Sequence, residues 1–198
     1  MTMPQAQPTQ GAVTLDVPWP GGLAVDAHTL PGASSAAASA SAGLPEALAP
    51  GLRAMAMADI DGVMAIEQTA YAHPWTRGNF IDSLCAGYLA WLKHDAQTEL
   101  VGYCVALPGY RETHLLNLTV RPARQRTGIG RALLANLTAW SRQRGDASLF
   151  LEVRASNLGA RALYAAAGFE EVGLRCDYYP AAGLRREDAV VMRLSLAS

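Results

Sequence analysis

The chain predicts a mixed α/β fold, and three observations carry that expectation. Apolar runs of strand length occur at LLNLTV (115–120) and SLFLEV (148–153). Between them, Ile129, Leu133, Leu137 and Trp140 recur at helical spacing on one face. At the passage from strand to helix lies QRTGIG (125–130), a glycine-bearing turn flanked by arginines. A strand, a turn, an amphipathic helix and a second buried strand form the unit from which α/β sheets are assembled.

The other elements follow in order. Leu52 to Met57 reads as a first strand. Asp59 can cap a helix to about Ala70, with Ile60, Val63, Met64 and Ala70 on its apolar face. HPW at 73–75 interrupts, and Thr76 can cap a second helix to about Ala86. Tyr88 to Lys93 and Leu100 to Leu107 read as strands joined by the polar turn DAQTE. His114 to Val120 is a strand, Ile129 to Arg144 the long helix, and Ser148 to Val153 a short buried strand. Asn157 to Ala167 is helical, with Gly168 placed to end it in a left-handed conformation. Two strands close the chain, near Glu170 to Tyr179 and Asp188 to Leu196.

Composition sets the limits. The 198 residues, 51% hydrophobic with a formal net charge of -1, suit one ordinary globular domain. The first 50 residues are rich in Pro, Gly, Ala and Ser and carry only three charges, Asp16, Asp26 and Glu46. So few bulky side chains cannot offset ordering entropy, so residues 1–50 are expected to be a disordered low-complexity extension, with the folded domain at 51–198. That domain keeps 14 acids and 16 bases, a net +2, which is too balanced for a general nucleic-acid binder. No apolar run reaches the ~18 residues of a membrane span. No basic residue precedes Arg53, so a secretory or transit signal is not expected. Three scattered cysteines, Cys85, Cys104 and Cys176, point to a reducing cytoplasmic location. His28, His73, His94 and His114 show no metal-ligand spacing with one another or with the cysteines, so no metal is expected.

The glycine turn is the first site candidate. A helix starting at Gly128 to Gly130 leaves its first amides without internal partners, and these donors with the positive dipole end attract phosphate. Arg121, Arg124, Arg126 and Arg131 add positive charge. A nucleoside-triphosphate loop would need Gly-Lys followed by Ser or Thr, and the dinucleotide fingerprint fails at Leu133. A pyrophosphate carried by something other than ATP or NAD fits better. A glycine turn that simply starts a helix, with solvated arginines, is the bland alternative.

These residues also carry a resemblance. LLNLTVRPARQRTGIGRALL is similar to the coenzyme A signature of the GNAT acetyltransferases, a strand followed by Q/R-x-x-G-x-G/A opening a helix. LEVRASN, ALY, AGF, YYP and REDAVVM, with HPW, resemble the RimI-type members, which acetylate the amino terminus of a small-subunit ribosomal protein. The resemblance covers about residues 53–196. It implies a central mixed, mostly antiparallel sheet flanked by helices, with splayed strands binding coenzyme A. It further implies acetyl-coenzyme A as co-substrate and a protein α-amine, that of a ribosomal protein, as acceptor. By that resemblance Leu118, Thr119 and Val120 pair through their backbone with the pantetheine arm. Gln125, Arg126, Thr127, Gly128, Ile129, Gly130 and Arg131 surround the diphosphate, and Asn157 is a further coenzyme A contact.

Two residues are candidates for the chemistry. Glu152 lies in the apolar strand LFLEV, where a carboxylate is costly unless paired or functional. It can take a proton from an ammonium, or it can form a structural ion pair with Arg154 or Arg175. Tyr164, seven residues after Asn157, can share its helix face and can equally be core filling. The resemblance implies that Glu152 is the proton acceptor and Tyr164 the proton donor. Substrate-facing candidates are His73, Trp75, Tyr178 and Tyr179, each with a packing alternative. Cys104 reads as a core residue, so direct transfer is expected rather than a covalent acetyl-cysteine. Cys176 and Asp177 depart from the subfamily pattern, which has a basic residue and an amide before YYP, and the loop 181–185 is longer by about one residue. A GNAT enzyme acting on small-molecule amines or lysine side chains, and a coenzyme A-binding module without catalysis, are the other functional classes compatible with these features.

Overall fold

The computed structural model describes residues 13–14, 50–181 and 185–196. Apart from Val13, Thr14 and Pro50, the extension expected to be disordered lies outside the described residues, as do residues 182–184 of the unusual loop.

The elements run β1 (Val13–Thr14), β2 (Leu52–Ala54), α1 (Ile60–Ala70), α2 (Arg77–Cys85), β3 (Leu89–His94), β4 (Leu100–Pro108), β5 (Glu112–Val120), α3 (Ile129–Gln143), β6 (Ser148–Arg154), α4 (Leu158–Ala166), β7 (Glu170–Pro180) and β8 (Arg186–Ser195). Seven strands stand in the order β2-β3-β4-β5-β6-β8-β7, with β1 added on β5. All neighbours pair antiparallel except β5 and β6, which are parallel and joined through α3. This is the mixed, mostly antiparallel sheet implied by the sequence.

The first strand is shorter than expected and ends at Ala54. Asp59 explains why. Its carboxylate does not cap α1; it accepts from Ala56 N at 2.8 Å and holds Arg53 at 2.6 and 2.7 Å. Those bonds turn the chain into a single 3-10 turn at Met57–Asp59 before α1 begins. Thr76 does cap α2, in a reciprocal box with Asn79. Gly168 ends α4 at φ 92, a value at which a Cβ would be strained.

Each face of the sheet carries its own core. Under α3 and α4 lie Cys104, Leu115, Leu118, Leu133, Leu137, Leu151, Val153 and Tyr164, among others. Under α1 and α2 lie Ile60, Val63, Ile66, Phe80, Leu92, Tyr103, Val105 and Leu116. Alternation along the strands therefore assigns sides: Leu118 faces α3 and α4, whereas Thr119, opposite Tyr103, faces α1.

The position of the site follows from one pairing that stops early. β5 and β6 pair only from Glu112↔Ser148 to Leu115↔Leu151. Beyond that, β5 continues to Val120 on β4 and β6 continues to Arg154 on β8. A bulge assists the divergence: Val105 opposes Asn117 while Ala106 opposes Leu115, so Leu116 is an extra residue that bends β5. The result is a wedge opening between 116–120 and 152–154. Val13 and Thr14 pair antiparallel with Leu118 and Asn117, on this freed edge of β5.

Candidate active site

The glycine turn sits directly after β5, at the mouth of the wedge. Arg126 and Gly128 both adopt left-handed backbone, at φ 65 and φ 88. At Gly128 it is the dihedral that demands glycine, because a Cβ there would meet nothing within 4 Å. The turn is fixed by Gln125 Nε2 donating to Val120 O (3.2 Å) and Thr127 Oγ1 donating to Arg124 O (2.6 Å). The intrahelical ladder of α3 starts with Ala132 N on Gly128 O, at 3.0 Å. The amides of Ile129, Gly130 and Arg131 therefore stand ahead of that ladder, at the positive end of a 15-residue helix. Successive free amides beside left-handed residues make an anion-binding concavity.

The arginines divide into two pairs. Arg121 pairs with Glu99 (3.1 Å) and donates to Leu100 O, and Arg124 pairs with Asp95 (2.7 Å) and Glu99 (3.5 Å). These two brace the β3–β4 turn, which corrects their expected contribution to the anion site. Arg126 and Arg131 form no ion pair among the described residues.

Leu118, Thr119 and Val120 form the β5 side of the wedge, all buried. Glu152 forms the β6 side. It alternates with Leu151 and Val153, which face α3 and α4, so its carboxylate lies on the opposite surface of the sheet. There Oε1 meets Arg175 Nε at 2.5 Å. One of the two anticipated structural partners is therefore real. Arg154, the other, bonds Glu187 at 3.3 Å and Pro180 O at 2.9 Å, and lies 4.4 Å over the Tyr179 ring.

Tyr164 approaches from the other face. It is fully buried on α4, 5.7 Å from Phe169, and its hydroxyl has no hydrogen-bond partner among the described residues. Burial, with a smaller contribution from Cys104, pushes the phenol well above its usual value, so it stays protonated at neutral pH. Cys104 is itself buried, and burial pushes its thiol up to about 12. The thiolate needed for an acetyl-cysteine is thereby suppressed. Asn157 occupies the N-cap of α4, its Oδ1 accepting from Ala160 N at 3.1 Å. It orients the helix that carries Tyr164.

The remaining candidates separate. Tyr178 and Tyr179 stand side by side with ring centroids 5.0 Å apart, and Tyr178 also lies under Arg175. Tyr179 is fully buried, and its phenol is pushed well above its usual value by burial and then by the Glu152 charge, which brings it beside the carboxylate. The β7–β8 register is interrupted between Arg175 and Tyr179, just before the two rings. Asp177 lies in that shift at φ 52, a left-handed conformation that Asp and Asn both tolerate. The departure from an amide at this position is thus conservative for the backbone. His73 is exposed at the α1–α2 loop. Trp75 is 4% exposed and packs on Phe80 at 5.2 Å, in the core under α1 and α2.

Two polar residues escaped the sequence reading. Glu67 is fully buried on α1, accepting from Trp75 N at 2.8 Å and from the Tyr103 hydroxyl. Its signal was its register, four residues after Val63 and seven after Ile60, on the apolar face of the helix. Asn117 is fully buried on β5. A polar side chain inside LLNLTV was the same kind of signal that singled out Glu152 in LFLEV. No group of three or more His, Cys, Asp or Glu side chains suited to a metal occurs among the described residues.

Residues 60–169 match the model of the acetyltransferase (GNAT) family. The chain is 37% identical over 138 residues to the [ribosomal protein bS18]-alanine N-acetyltransferase of Haemophilus ducreyi, covering 70% of this chain and 94% of that relative. Its fold is similar to the crystal structure of the ribosomal-protein-S18-alanine N-acetyltransferase from Escherichia coli, with TM-score 0.69 and 36% identity over 74% of this chain and 94% of that one. A GNAT phosphinothricin acetyltransferase from Sinorhizobium meliloti, determined in complex with AcCoA, shares the fold at TM-score 0.63 and 21% identity, over 74% of this chain and 88% of that one. With a wedge between parallel strands, free amides at the start of α3 and a family match across more than half its length, the chain belongs to the GNAT acetyltransferase family.

Proposed function

We propose that this protein transfers the acetyl group of acetyl-coenzyme A to the α-amine of a protein amino terminus, that of the small-subunit ribosomal protein modified by its bacterial relatives. The observation that carries this reading is the wedge itself, with a carboxylate on one face of the sheet and a buried, unpaired phenol on the other. Likeness to relatives named for that acceptor, across 94% of their length, supports the choice of substrate. The protein acts in the cytoplasm, where ribosomal proteins are made, and needs neither a metal nor a nucleic acid or membrane partner. Its catalytic unit is residues 51–198.

Acetyl-coenzyme A, when bound, supplies an activated thioester. The amides of Ile129, Gly130 and Arg131, with the side chains of Arg126 and Arg131 and the turn residues Gln125, Thr127 and Gly128, fit its diphosphate. The backbone edge of Leu118 and Val120, beyond the last β5–β6 pair, fits the pantetheine arm as an added strand. Glu152 takes a proton from the acceptor ammonium, directly or through water, which frees the nitrogen lone pair. As the N–C bond forms and the C–S bond breaks, the Tyr164 hydroxyl gives its proton to the departing sulfur. Tyr178, Tyr179 and His73 border the groove by which a peptide reaches Glu152.

The reading is tested by mass spectrometry of small-subunit ribosomal amino termini from cells with and without this protein. An acetyl group lost from one amino terminus on deletion is expected; unchanged acetylation would remove the ribosomal assignment. Deleting residues 1–48 frees the β5 edge held by Val13 and Thr14. Transfer by the shortened protein is expected to persist, with a KM for acetyl-coenzyme A no higher than that of the full chain. A folded but inactive truncation would place the extension inside the catalytic unit.

A further inference from the structure

Among the buried polar groups behind β5 is a donor with no acceptor among the described residues. Glu67 receives the Tyr103 hydroxyl and Trp75 N. Thr119 Oγ1 gives its proton to Asn117 Oδ1 at 2.7 Å and bonds the Tyr71 hydroxyl, also at 2.7 Å. A hydroxyl has one proton, so with that of Thr119 committed to Asn117, Tyr71 is the donor in the second bond. With Oδ1 toward Thr119, the Asn117 amide turns its nitrogen away from that hydroxyl. Asn117 Nδ2 has no hydrogen-bond partner among the described residues, and Asn117, Thr119, Tyr103 and Glu67 are all fully buried. Leaving a buried donor unpaired is unfavourable unless a ligand supplies the acceptor.

Location identifies the missing partner. Asn117 is two residues past Leu115, the last β5 residue paired with β6, so it stands where the wedge opens. Its side chain lies on the α1 face, the face on which Glu152 lies, and opposite the face of Tyr164. The acceptor amine approaches Glu152, so the Asn117 amide meets the acceptor rather than the thioester sulfur. An N–H donor cannot serve an ammonium, which is itself only a donor. The acceptor group that accompanies an α-amine at short range is the carbonyl oxygen of the same residue. We propose that Asn117 Nδ2 donates to the backbone carbonyl of the first residue of the acceptor, and that Thr119 acts as a positioning residue that holds the amide oxygen. The inference rests on the reading that a peptide α-amine is acetylated, and it explains how such an amine is told from a simple alkyl amine.

The test uses the full-length protein, acetyl-coenzyme A and a peptide with the bS18 amino terminus, beside the same peptide with its first carbonyl reduced to methylene. The unchanged enzyme is expected to favour the carbonyl peptide by about tenfold in kcat/KM. Asn117→Asp, nearly the same in shape but without the donor, is expected to raise the peptide KM by about tenfold and to abolish that preference. Its KM for acetyl-coenzyme A is expected to stay unchanged. Thr119→Val is expected to move the peptide KM in the same direction, and Thr119→Ser to restore it. A folded Asn117→Asp enzyme that still discriminates between the two peptides would overturn the inference. So would an equal rise in the acetyl-coenzyme A KM, which would place the donor on the cofactor. If the unchanged enzyme acetylates neither peptide, the proposed function fails and takes this contact with it.

Discussion

The two ends of the β5–β6 pair are built on opposite principles. At the closed end, residues 112–115 and 148–151 are in register and the polar groups beside them are saturated. Thr113 donates to Asp146 at 2.6 Å, and Arg144 bonds Asp146 and the carbonyls of Gly109 and Glu112. At the open end, Asn117 Nδ2, Tyr164 Oη and Tyr179 Oη are buried with no hydrogen-bond partner among the described residues. Trp91 Nε1 and Ser141 Oγ share that condition inside the α3 side of the molecule, so orphaned groups alone do not mark a site. What marks the wedge is orphaned groups together with the end of β5–β6 pairing. One end of the strand pair carries stability, and the other forgoes it, as expected of a site that a ligand completes.

Substitutions at the two ends should therefore separate activity from stability. Tyr164→Phe is expected to lower kcat by about 10²-fold or more, the usual weight of a positioned proton donor. Thermal stability should not fall, because the hydroxyl removed has no partner. Steady-state kinetics beside a melting curve checks both; a destabilised but fully active variant would return Tyr164 to core filling. At the closed end the outcome reverses. Asp146→Ala strips the partner from buried Thr113 and from Arg144, at a cost of about 3 kcal/mol of folding stability. The folded fraction should retain its kcat, which a denaturant titration paired with active-site counting would establish.

The smallest expected effect lies far from both ends. Asp59 is held below its ordinary value by its hydrogen bonds with Arg53, against the opposing pull of burial. Its contribution is complete above the ordinary carboxylate value of about 4 and is lost as pH falls through the lower folded-state value. His94 acts in the same sense, since burial and then Arg53 hold its ring below its ordinary value and protonation favours unfolding. Asp59→Asn should flatten the acid side of the stability profile while leaving the neutral plateau within about 1 kcal/mol. An unchanged acid limb would mean that the Arg53 pair does not couple to folding.

Most of the fold was legible because it is local. The period of Ile129, Leu133, Leu137 and Trp140, the cap at Thr76 and the stop at Gly168 each act within a few residues, and the observed elements begin and end close to where they were expected. Long-range pairing was less accessible. Nothing near Arg121 or Arg124 announces Asp95 and Glu99, which reach them only because β4 folds back on β5. Asp59 had the right residue type for a cap, and Arg53 claimed it instead. In the site, Gly128 and Glu152 stood out by type and context. Asn117 carried the same kind of signal, a polar residue in an apolar strand, but the bond it fails to make is visible only when every neighbour is in place.

The most direct measurement is the turnover of Glu152→Gln with a peptide bearing the bS18 amino terminus, alongside calorimetry with acetyl-coenzyme A. The wedge reading predicts unaltered cofactor binding and a kcat reduced by about 10²- to 10⁴-fold, as expected when a positioned proton acceptor is lost. Wild-type turnover in that variant would contradict it and leave the carboxylate as nothing more than the ion-pair partner of Arg175.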